Sequence, residues 1–85
     1  MMAVVYWLLD AEDNILYIGC TMGLKYRMQS HANTKAWWPS VASLAHTDRM
    51  PREEALRLER ADIAELRPPH NSIRVYQRKT ALTCP

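Results

Sequence analysis

The chain is predicted to adopt an α+β fold, and three observations predict it. Two β-branched and aromatic runs, Val4 to Leu9 and Ile15 to Ile18, flank a turn-forming cluster; helix-period spacing follows over 22–33; a second, proline-bounded helical stretch covers 51–66. A chain of 85 residues buries only about 60–65% of its unfolded surface, so 1–85 is read as a single domain with one core.

The first element is a hairpin, because Asp10-Ala11-Glu12-Asp13-Asn14 favours turns and tolerates left-handed backbone. Pairing Leu9 with Asn14 sets Tyr6 opposite Tyr17, so both phenols project from one face; a slip of one residue breaks that alignment. As residues alone, the two tyrosines read equally as strand-filling aromatics. Gly19 ends the second strand, where the backbone turns or approaches something closely.

In the first helix, Leu24, Arg27, Met28 and His31 are three and four positions apart and share a face. Arginine offers a planar fork of donors that fits two phosphate oxygens, and a histidine one turn on can exchange a proton beside it. A solvated amphipathic helix with a snorkelling arginine fits the same pattern. Beyond Pro39, which suits a strand start or edge, Val41 to His46 alternates and supplies a third strand. Trp37 and Trp38 are assigned to packing, although such rings can also stack on nucleobases.

The second helix opens at Pro51, with Asp48 or Thr47 as its cap and acidic residues in its first turn, and it stops before Pro68-Pro69. Leu56, Ile63 and Leu66 form its apolar stripe with Ala55 at the side. Glu59 falls inside that stripe. A carboxylate there is costly unless it is paired. Its partner is Arg27 or a tyrosine hydroxyl in a structural pair, or a divalent cation of the hard, oxygen-preferring kind; wheel position does not choose among them. Pro68-Pro69-His70-Asn71 makes a rigid corner whose asparagine can bond inward. Ser72 to Gln77 is read as a short extended segment and Ala81 to Pro85 as a loose end.

With 48% hydrophobic and 24% charged residues, the composition is that of a folded domain and excludes a disordered chain. A net charge of +2 gives little general attraction to polyanions, so nucleic-acid binding must come from local clusters. Lys25, Arg27 and Lys35 form one, and Arg67, Arg74, Arg78 and Lys79 load the carboxyl end, whereas Glu53, Glu54, Glu59, Asp62 and Glu65 sit on the second helix. Cys20 and Cys84 have no metal spacing and read as reduced thiols. The apolar start lacks a basic leader, and Asp10 cuts it short of the ~20 residues a membrane span needs, so a soluble, intracellular, cytoplasmic protein is expected.

Tyr6, Tyr17-Ile18-Gly19, Arg27, His31, Glu59 and Asn71 resemble, in order and approximate spacing, the motif set of the GIY-YIG nuclease superfamily, from Val4 to about Val75. Val4-Val5-Tyr6 stands where that family has Gly-Ile-Tyr. The resemblance implies a small three-stranded antiparallel sheet flanked by helices, in a compact single-domain member with a phosphodiester-cleaving site across the hairpin face. It further implies a metal-dependent DNA endonuclease with a one-metal site, in which Glu59 holds magnesium or manganese. Arg27 and Tyr17 would steady the phosphate, Tyr6 and His31 would orient or deprotonate the attacking water, and Gly19 and Asn71 would support the site. Lys25, Arg27 and Lys35 are the expected DNA contacts. DNA is the expected partner, with no membrane, and with a homodimer or a specificity-conferring protein as further partners. The competing expectation is a DNA-binding module of the same fold that does not cut.

Overall fold

The structure, a computed structural model, describes residues 1–71. The readings made for Ser72 to Gln77, Ala81 to Pro85, Arg74, Arg78, Lys79 and Cys84 lie outside the described residues. Chain order is β1 (Met2–Leu9), β2 (Ile15–Thr21), α1 (Leu24–Thr34), a 3-10 turn (Trp38–Ser40), β3 (Ser43–His46), β4 (Met50–Pro51) and α2 (Arg52–Leu66). The α+β class predicted from the sequence is the one observed.

β1 is the middle of an antiparallel sheet in the order β2-β1-β3, and the two-residue β4 pairs with the amino end of β1. This short fourth strand adds to the three that were predicted. Between β3 and β4, Thr47 keeps the edge closed: its N–H donates to the Val5 carbonyl at 2.9 Å and its Oγ1 accepts the Val5 N–H at 3.1 Å. Thr47 therefore does not cap α2, contrary to expectation. Pro51 holds the cap position, and no side chain caps the helix.

The hairpin turn forms as the sequence requires. Asp10 Oδ1 accepts the N–H groups of Glu12 and Asn14, both at 2.9 Å, and Asp13 takes a left-handed φ of 65°. The predicted register is wrong by two residues. Tyr6 pairs with Gly19 and Leu8 with Tyr17, while Leu9 pairs with Ile15 across an irregularity. The Tyr6 ring lies across β2 in the space a side chain at position 19 would fill, and Gly19 is the residue of β2 that admits it. A shift of two residues preserves the face of the side chains from Tyr17 onward, so the phenols still share a side, whereas Ile15, beyond the irregularity, packs on the core side.

On one side of the sheet, Ala3, Val5 and Ile18 pack with Ala55 of α2, flanked by Trp7, Cys20, Leu58 and Ile63. The Trp7 indole N–H donates to Asp62 Oδ2 at 3.1 Å, which draws that side of α2 onto β1. Ala55 and Ile63 of the predicted stripe pack on the core. Leu58 joins the core, and Leu66, the last residue of the helix, is exposed. The helix stops at Arg67, left-handed with φ of 47°, just before Pro68. Pro39 lies in the 3-10 turn instead of starting a strand.

The 68–71 corner docks on the open edge of β2. Asn71 Oδ1 accepts the Ile18 N–H at 2.9 Å, its Nδ2 donates to the Ile18 carbonyl at 2.8 Å, and the His70 N–H donates to the Leu16 carbonyl at 3.1 Å. One asparagine side chain thus stands in for a neighbouring strand at the residue between Tyr17 and Gly19.

Candidate functional site

Tyr6 is fully buried in the middle of β1. A Cβ added at Gly19 would fall within contact distance of its Oη, Cζ and Cε2, so glycine is required for the ring to cross β2. Gly19 therefore lies inside the strand, opposite Tyr6, and does not end it. Tyr6 Oη lies 2.7 Å from His31 Nε2, in the buried space between β1 and α1.

The surroundings favour the uncharged form of both groups. Burial, and then the neighbouring Tyr17, push the Tyr6 phenol well above its ordinary value of 10.0, with Arg27 acting against them. His31 is held below 6.5 by burial and by the charges of Arg27 and Lys35. Both groups are then neutral, and in the imidazole tautomer protonated on Nδ1 the Tyr6 O–H donates to His31 Nε2.

Tyr17 completes the face. Its ring centroid is 6.1 Å from that of Tyr6 and 5.0 Å, edge on at 71°, from that of His31. Burial raises its phenol too, while Arg27 lowers it and Glu59 raises it. Arg27 is half-buried, one turn before His31 on α1, as the helical spacing required.

Glu59 reaches the same group of residues from α2. It is half-buried, its pKa is raised above 4.5 by loss of water, and Arg27 and then Arg60 offset this in part. In turn its charge raises the pKa of Tyr6, Tyr17 and Cys20. Among the described residues, neither Arg27 nor a tyrosine hydroxyl forms an ion pair or hydrogen bond with Glu59. The described residues hold no group of three or more potential metal ligands, and Glu59 is the carboxylate among the residues gathered here. That donor set suits a hard ion that keeps most of its water, as magnesium does.

Sequence reasoning missed the extent of the aromatic wall. Trp37 stacks on Tyr17 at 5.3 Å and on His70 at 5.0 Å, and Trp38 stacks on His31 at 6.5 Å. Trp37 was read as packing, and His70 only as part of a corner; the signal for His70 was its place next to the inward-bonding Asn71. Of the lysines, Lys35 acts on His31 through its charge and its N–H caps α1 on the His31 carbonyl, whereas Lys25 lies on the exposed side of α1.

No protein-family model matches the chain. It is similar to proteins named UvrABC system protein C. That of Chromohalobacter salexigens is 40% identical over 73 residues, that of Alcanivorax borkumensis 35% over 74, and that of Pseudomonas aeruginosa 36% over 74. Each match covers 79% of this chain and 12% of the relative, so the chain corresponds to a small part of the length of these curated relatives.

Proposed function

We propose that this chain is a GIY-YIG nuclease domain that hydrolyses DNA phosphodiester bonds with a divalent cation held by Glu59. Likeness to the UvrABC system protein C sequences supports the superfamily, without distinguishing a compact member from a part of a larger protein. The observation that carries the reading is the meeting of Tyr6, Tyr17, Arg27 and His31 on one face of the hairpin, within electrostatic reach of a half-buried acid that makes no hydrogen bond or ion pair among the described residues and feels Arg27 and Arg60 only through their charge.

In this reading Arg27 holds the phosphate and opposes the charge that grows on it. Tyr6 Oη is covered in the unbound protein, and in this reading the side chains over it part when DNA binds, so that the attacking water donates to it. As its oxygen bonds to phosphorus and the bond to the leaving 3′ oxygen breaks, the water proton passes to Tyr6 and the Tyr6 proton passes to His31 Nε2; solvent protonates the leaving oxygen. His31 is the net base, because a phenol raised above its ordinary value cannot supply a tyrosinate at neutral pH. A magnesium or manganese ion at Glu59 would neutralise charge on the phosphate and the leaving oxygen.

Incubating the purified chain with supercoiled plasmid, in EDTA and in magnesium or manganese, tests the assignment. Nicking that needs the cation and falls by about 10²–10⁴-fold in Tyr6→Phe is expected. Retention of DNA with no cutting under any cation would instead make the protein a binding module.

A further inference from the structure

Among the described residues the one exposed tyrosine or tryptophan is Tyr26, on the outer side of α1 with 79% of its surface accessible; Met22 beside it is 47% accessible. With Thr21, Gly23, Arg27 and Ser30 they line a groove of about 420 Å³. Gly23 lies beside the ring: a Cβ added there would come 3.7 Å from Tyr26 Cδ2, so the glycine leaves that side of the ring uncovered.

Isolated exposed aromatics are common on soluble proteins, so exposure alone indicates no ligand. The groove adds continuity with the site. Arg27, which would grip the phosphate under attack, also forms one wall of this groove, and the other walls include a phenol face and a thioether. Flat and polarisable surfaces of this kind pack against nucleobases whatever their identity. Charge agrees with this: α1 carries Lys25 and Arg27 and has no acidic residue from Leu24 to Thr34. A strand fixed at Arg27 therefore brings its neighbouring nucleotide over Tyr26. A base paired inside a duplex cannot turn outward to meet the ring, whereas an unpaired one can.

We propose that Tyr26, backed by Met22, is a stacking platform for an unpaired base next to the scissile phosphate, and that the protein favours DNA with single-stranded character at the cut, such as a flap or a frayed branch. This rests on the nuclease reading above, and its first test does not need cleavage. In EDTA, fluorescence anisotropy with a short labelled single-stranded DNA should show affinity falling about tenfold in Tyr26→Ala and staying near wild type in Tyr26→Phe, since the ring face carries the contact. With magnesium, Tyr26→Ala should raise KM for a flapped substrate by a similar factor, leave its kcat near wild type, and have a smaller effect on a continuous duplex. An abasic position beside the cut should cost the wild type what Tyr26→Ala loses, and cost that variant nothing more. Equal binding by wild type and Tyr26→Ala, or Tyr26→Phe as weak as Tyr26→Ala, would overturn the platform. A binding difference between wild type and Tyr26→Ala in a protein that never cuts would support the platform while removing the nuclease reading.

Discussion

At Gly19 a missing side chain decides where Tyr6 lies, and Tyr6 in turn decides whether His31 can be reached from the site. Gly19→Ala sets a methyl where the phenol now sits, and overpacking of that kind costs roughly 1–3 kcal/mol. The expected result is a lower melting temperature together with loss of cleavage, because the Tyr6 to His31 hydrogen bond cannot survive displacement of the ring. The imidazole also makes a pH prediction. Its folded value lies below 6.5, so the acid limb of kcat/KM should lie below that ordinary value; Lys35→Ala, which removes one of the charges holding it down, should shift the limb to higher pH. An acid limb unmoved by that substitution would remove His31 as the proton acceptor. The same group affects stability: since the folded value is depressed, its contribution is complete above about 6.5 and is lost as pH falls through the folded value.

Among the elements, the hairpin and α1 were legible in the sequence because their signals are local. The turn chemistry at 10–14 and the three-and-four spacing of Leu24, Arg27, Met28 and His31 need no knowledge of what packs against them. The register was not legible, because it depends on which position can receive the Tyr6 ring, a contact between strands. The stripe of α2 was legible at Ala55 and Ile63, which pack on the core, whereas Leu58 joins them and Leu66 at the helix end is exposed; the Trp7 to Asp62 hydrogen bond reaches a different element and has no signal on a wheel. Glu59 stood out because an acid among apolar positions violates a local rule, which is where functional groups are expected. The 68–71 corner acts as part of the sheet. Asn71→Ala would leave the Ile18 N–H and carbonyl, both buried, without partners, so a loss of roughly 2–3 kcal/mol in chemical denaturation is expected. A change within experimental scatter would mean that the corner does not hold the β2 edge.

For the whole molecule, Glu59 is a charge that the fold would be more stable without. Its folded pKa is raised, so the stability linked to it is complete below about 4.5 and is lost as pH rises through the folded value. Glu59→Gln keeps the shape and removes the desolvated charge. In EDTA at neutral pH it should melt a few degrees above wild type, and the gap should close as the pH drops below 4.5. Adding manganese should raise the melting temperature of the wild type but not of the variant, because a ligand that binds only the folded state stabilises it. The most direct test of the account is plasmid nicking in magnesium or manganese by wild type and Glu59→Gln side by side. The account predicts metal-dependent nicking by the wild type and a loss of at least about 100-fold in a variant that is at least as stable. Nicking by Glu59→Gln at the wild-type rate would contradict it.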